Sequence, residues 1–288
     1  TVETVTYLRE LGCFDKVDYD YIMGTTDKKA EDNPNYDDQV NLGLSNIPNG
    51  WTHNGKAPGG SPDVVVAVID TGVDYNHLDL RNNIWINSAE IPDNGKDDDG
   101  NGYIDDVHGF NFLSPYDKDT DVWEVLPLSW DKTNDTGHGT HVAGTVAAVN
   151  NNGIGVCGVA GGDVKKRVSG AKLMSCQIFE GKNSGSGAEA IKWSADHGAV
   201  ISQNSWGYPT LDETPSSVKS AVDYFEKYAG VDENGKQTGP MKGGLVIFAA
   251  GNEGKNTSSS DYEKILSVTS VGADYKRAYY TCYGSWAD

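Results

Sequence analysis

Hydrophobic positions in this chain follow two rhythms that alternate along its length. Residues 64–69 form an unbroken apolar run, the pattern of a parallel strand covered on both faces. Shorter apolar runs at 171–179, 199–205, 244–250 and 265–273 predict further strands of the same sheet. Between them the period changes to that of a helix. Residues 188–197 predict one helix closed by Gly198, and residues 216–229 another, with Val218, Ala221, Val222, Phe225 and Ala229 on one stripe and Gly230 at its end. A third helix opens at His138, with Val142, Ala143, Val146, Ala147 and Val149 as its apolar side. Alternation of this kind predicts an α/β fold in three layers, a mainly parallel sheet with helices on both faces.

The first residues stand apart from that scheme. Val5, Leu8 and Leu11 share a helical face ended by Gly12, and Val17, Tyr19, Tyr21 and Met23 then alternate as in a strand. Residues 24–36 are polar and rich in Asp, Lys and Asn, which predicts a linker. The expected division is a small unit over residues 1–30 and one large domain over residues 31–288.

Charge narrows the choice of partners. The 288 residues hold 23 basic and 42 acidic side chains, a formal net charge of -19, which argues against nucleic acid or an anionic membrane surface and permits bound cations. No stretch approaches the roughly 18 apolar residues of a membrane-spanning helix. The four cysteines, Cys13, Cys157, Cys176 and Cys282, form no Cys-x-x-Cys pair, and Cys157 and Cys176 lie in apolar runs as buried thiols would.

Three stretches carry candidate chemistry. Asp70 ends the run at 64–69, and the carboxyl ends of strands are where open α/β sheets bind ligands. His138 sits in Asp-Thr-Gly-His-Gly-Thr-His-Val-Ala-Gly-Thr at 135–145, where small neighbours leave its ring open and the start of a helix favours a neutral base. A third stretch, residues 97–106, reads Asp-Asp-Asp-Gly-Asn-Gly-Tyr-Ile-Asp-Asp. Asp97, Asp99 and Asn101 alternate, the backbone carbonyl of Tyr103 follows, and a glycine takes the sixth place, as in a calcium loop of the EF-hand kind. His108 holds the twelfth position where that loop has Glu, so Asp105 or Asp106 must complete the shell.

Four motifs in order, Val-Ile-Asp-Thr-Gly-Val-Asp at 68–74, His-Gly-Thr-His-Val-Ala-Gly-Thr at 138–145, Asn-Ser-Trp-Gly at 204–207 and Ala-Ala-Gly-Asn-Glu-Gly at 249–254, resemble the subtilisin-type serine proteases. The resemblance implies a calcium-stabilised, exported endopeptidase acting on protein or peptide substrates. It makes His138 the general base, Asp70 its orienting acid and Asn252 the oxyanion donor. Ser205, Trp206 and Gly207, with Ala249, Ala250 and Gly251, become the two segments that pair with an extended substrate. It also implies a fainter calcium site joining Asp79 to the loop at 150–154. The family's serine lies in a Gly-Thr-Ser segment, which does not occur in this chain, so the fold is expected to be incomplete at its C-terminus and the nucleophile to lie beyond residue 288. Residues 1–30 resemble the tail of an inhibitory prosegment. An inactive peptide-binding relative, or one half of a protease completed by a second polypeptide, remains the alternative.

Overall fold

The computed structural model describes residues 33–51, 59–120, 122–132, 137–232 and 234–288; the helix-strand unit expected over 1–30 lies outside them. A six-stranded sheet organises the rest. Its strands are β1 (Val65–Asp70), β2 (Gly109–Asn111), β3 (Lys172–Gln177), β4 (Ala199–Asn204), β5 (Leu245–Ala249) and β6 (Ile265–Val268). They lie in the order β6-β5-β4-β1-β3-β2, every neighbouring pair parallel. The run at 64–69 therefore becomes the strand nearest the middle, and its side chains from Val66 to Ile69 are at most 3% exposed.

Helices cover both faces, as the alternation of patterns required. On one side α1 (His138–Ala147) sets Ala143 and Ala147 against Val66, Val68 and Leu173. On the other, α2 (Gly187–Asp196) and α3 (Ser216–Tyr228) pack Trp193, Ile191, Val222 and Phe225 onto Ala67, Ile69 and Met174. Each fully buried large apolar side chain of this kind contributes about 1.5–3 kcal/mol. Ser186 caps α2 by accepting the Glu189 N–H at 3.1 Å.

Several boundaries differ from expectation, for local reasons. The run at 171–179 leaves the sheet after Gln177, because Phe179–Glu180 turns back through Gly181, at φ +60°, to pair with Asn183–Ser184. The run at 265–273 stops at Val268, since Val271 bridges Arg277 across a turn closed by the Gly272 N–H to Lys276 O bond. Strand β2 has no periodic signature because it is three residues long.

Among the described residues one part of the sheet stays uncovered. Register places Leu245, Ile247 and Ala249 of β5, with Leu266 and Val268 of β6, on the same side as Ile201, the side that α1 covers farther along. There Leu245 is 51%, Leu266 40% and Val268 48% exposed. Parallel strands are ordinarily covered on both faces, so this apolar strip beside α1 is a site for packing.

Candidate active site

The strand order sets the site. Asp70 ends β1, Asn204 ends β4 and Ala249 ends β5, all at the carboxyl edge of adjacent parallel strands. Two strand spacings, roughly 10 Å, separate the β1 and β5 ends along that edge.

Helix α1 begins at His138 and points its ring back to that edge. His138 Nδ1 lies 2.6 Å from Asp70 Oδ1. A carboxylate only accepts, so Nδ1 carries the hydrogen and Nε2 is the basic nitrogen of the neutral ring. The pair sits at the boundary of the interior, with the Asp70 side chain 2% and the His138 side chain 34% exposed. Asp70 Oδ1 also accepts the Thr71 N–H at 2.7 Å, while Thr71 Oγ1 accepts the Gly139 N–H at 3.0 Å and so ties the helix start to the strand end. Asp70 Oδ2 is buried with no hydrogen-bond partner among the described residues.

Five of the six expected substrate-binding residues line one cavity of about 160 Å³: Ser205, Trp206, Gly207, Ala249 and Gly251, together with Asn252. Ala250 faces away. It is 1% exposed, its N–H donates to Val268 O and its carbonyl accepts the Ser258 hydroxyl. Trp206 is held by packing. A β-carbon on Gly187 would meet its ring at 2.5 Å, and Phe248 meets it edge-on at 5.0 Å. Glu253 and Lys255 bring opposite charges to the same cavity, with the Lys255 ammonium 3.4 Å from Asp212.

The expected calcium loop folds differently from an even ring of ligands. Among the described residues the one group of carboxylates converging within 4.8 Å is Glu90, Asp99 and Asp106. Glu90 lies ahead of the motif, and nothing in the local spacing marks it. It is 6% exposed and accepts the N–H groups of Asp98, Asp99 and Asp105. Burial pushes the carboxyls of both Glu90 and Asp106 upward. Asp97 accepts the N–H groups of Gly100, Asn101 and Gly102, and Asp105 those of Asn94 and Gly95. Asn101 bonds to Asp99 and Asp106. The ring of Tyr103 enters the core, meeting Phe110 edge-on at 4.9 Å, and its hydroxyl reaches Glu189. Three carboxylate oxygens at such mutual distances form a hard oxygen set that suits calcium.

A second oxygen cage surrounds Asn33, within the stretch expected to be a linker. Its Nδ2 lies 3.3 Å from Val149 O, 3.2 Å from Asn152 Oδ1, 2.9 Å from Ile154 O and 2.8 Å from Val156 O. Asp79 flanks the cage, accepting Asn152 Nδ2 and the Val156 N–H. Four acceptors converge on an amide that owns two hydrogens, a surplus of oxygen that fits a cation.

Comparison with known proteins bears on the family and the fold. The sequence profile of the Subtilase family matches residues 61–287. Over 116 residues, 40% of this chain and 15% of the relative, the chain is 43% identical to Subtilisin-like protease 1 of Plasmodium vivax. The Thermophilic serine proteinase of Bacillus sp. (strain AK1) is 28% identical over 80% of this chain and 43% of its own length. The Extracellular protease of Xanthomonas campestris pv. campestris is 31% identical over 86% of this chain and 39% of its own. The chain thus spans less than half the length of each of these relatives. The crystal structure of the psychrophilic subtilisin-like protease Apa1 from Pseudoalteromonas sp. AS-11 matches with a TM-score of 0.50 at 22% identity, over 79% of this chain and 41% of that one, a likeness of fold.

Proposed function

Since the chain belongs to the subtilase family, we propose that it carries the acid, the base and the oxyanion donor of a serine endopeptidase, hydrolysing peptide bonds in protein substrates. The observation that carries this reading is the 2.6 Å contact between His138 Nδ1 and the buried Asp70, at the carboxyl edge that also holds Asn252. His138 Nε2 takes the proton of an attacking serine, Asp70 stabilises the imidazolium, and the ring then protonates the leaving amine. The Asn252 side-chain amide donates to the carbonyl oxygen as it gains charge. Substrate backbone pairs with Ser205–Gly207 on one side and with the Ala249 and Gly251 segment on the other.

The serine comes from polypeptide outside these 288 residues. Gly-Thr-Ser is absent from the chain, and the exposed strip of Leu245, Leu266 and Val268 offers the apolar seat that such polypeptide needs to lie beside α1. Calcium bound by Glu90, Asp99 and Asp106, and at the Asn33 and Asp79 cage, supplies stability. Residues 1–30 act as the end of an inhibitory prosegment. Export follows from the same reading, one relative being named as an extracellular protease.

A fluorophosphonate probe tests the proposal on the catalytically complete protein. One serine should be labelled, and His138→Ala should abolish labelling. Binding of peptides without any labelling would favour the inactive recognition module instead. Amino-terminal sequencing of active material tests the prosegment, with cleavage expected between about residues 23 and 36.

A further inference from the structure

Asn252 lies on an exposed turn between Gly251 and Gly254, which both have positive φ, +105° and +65°. Nothing in that turn alone holds an amide still. The segment at 280–283 does so from behind. Gly254 N–H donates to Tyr280 O at 2.7 Å, Cys282 N–H to Gly251 O at 2.8 Å, and Tyr283 N–H to Lys255 O at 2.9 Å. A side-chain contact completes the clamp, because the thiol of Cys282 donates to Glu253 Oε2 at 3.2 Å. Cys282 is fully buried, whereas Glu253 is exposed.

These contacts bracket Asn252 from both sides: the main chain of Cys282 holds the residue before it, and the thiol holds the residue after it. The fit leaves no slack, since a β-carbon on Gly251 would stand 2.6 Å from Glu253 Oε2 and 3.1 Å from Cys282 Sγ. We infer that Cys282 is a positioning residue for the oxyanion donor, acting through Glu253 and Gly251 to aim the Asn252 amide. The assignment rests on Asn252 being that donor. It gives this buried thiol a role that neither its burial nor the sequence around it reveals.

The test is a double-mutant cycle in the catalytically complete protease. Removing an oxyanion donor costs about 10²–10³ in turnover, and misplacing one by an ångström costs up to about 10², so Cys282→Ala should lower kcat by about 10- to 100-fold with KM little changed. Cys282→Ser, which keeps a donor for Glu253, should recover most of that loss. In an Asn252→Ala background, Cys282→Ala should add almost nothing, because the group it aims is gone. Should Cys282→Ala fold poorly, Glu253→Ala carries the same test from the exposed side. Full additivity with Asn252→Ala, or kcat unchanged in both Cys282→Ala and Glu253→Ala, overturns the inference. Unchanged kcat in Asn252→Ala alone would instead sink the oxyanion reading on which it rests.

Discussion

Gly139 and Gly72 approach so closely that a β-carbon on Gly139 would stand 2.3 Å from the carbonyl oxygen of Gly72 and 3.1 Å from Asp70 Cβ. The first turn of α1 is thus seated directly on the strand end that bears Asp70, and the residue after His138 must be glycine. Gly139→Ala should push the helix start away from β1 and lengthen the contact between His138 and Asp70. A misplacement of about 1 Å costs up to about 10² in rate, so kcat should fall by about that factor in the complete protease. Gly144, on the same helix with open space around its α-carbon, is the control: Gly144→Ala should leave kcat intact and stabilise the helix by up to about 1 kcal/mol. Equal activity of the two variants would refute the seating.

The sheet and the meeting of Asp70 with His138 were legible because each is written locally. An unbroken apolar run ending in Asp70, and a histidine among glycines ahead of an apolar helical face, constrain fold and chemistry together. Glu90 and Asn33 were not legible. Each reaches its site by long-range packing, Glu90 through the N–H groups of Asp98, Asp99 and Asp105, and Asn33 through the carbonyls around residues 149–156. At 97–105 Asp97 and Asp105 also accept nearby backbone N–H groups, so the same side chains set the shape of the loop.

Thiol chemistry should report on the interior. Cys157 and Cys176 are fully buried, and burial pushes the Cys157 thiol up to about 12 and that of Cys176 higher still. At pH 8 neither forms appreciable thiolate in the native protein, so neither should react with a disulfide reagent until denaturant is added. The same shifts fix a sign. The unfolded chain ionises these thiols from about pH 9 while the native chain does not, so their contribution to stability is intact below that pH and declines above it. Cys176→Ser and Cys157→Ser should flatten the alkaline limb of a stability profile. Rapid native labelling of either residue at pH 8 would contradict the burial.

The uncovered strip makes a prediction about assembly. Leu266 and Val268 are 40% and 48% exposed on the α1 side of β6. If the serine-bearing polypeptide seats there, Leu266→Lys together with Val268→Lys should abolish fluorophosphonate labelling of the complete protein. The same pair should make the isolated 288-residue chain less prone to self-association, because it breaks an apolar patch. Sedimentation of the isolated chain and labelling of the whole protein measure the two effects separately. Full labelling of the double variant would place the nucleophile elsewhere.

Calcium should bind at two places that differ in charge. One is Glu90, Asp99 and Asp106, whose carboxylates converge within 4.8 Å; the other is the cage around Asn33, where Asp79 is the flanking carboxylate. Like charges at the first place repel in the absence of a cation, so a chelator should destabilise the protein. Ligand at 100 times its dissociation constant is worth about 2.7 kcal/mol, or about 5–10 °C in Tm for a domain of this size. Asp106→Asn should remove most of that response, because Asp106 is fully buried and is one of three carboxylates that converge among the described residues. Asn33→Asp acts in the opposite direction: it withdraws the amide hydrogens from the cage and sets a second carboxylate beside Asp79, so calcium-dependent stabilisation should increase. Thermal unfolding of the three proteins, with calcium and with chelator, measures all of this. A wild-type Tm indifferent to the chelator would count against both places, whereas a response lost in Asp106→Asn and enlarged in Asn33→Asp would locate the two sites independently.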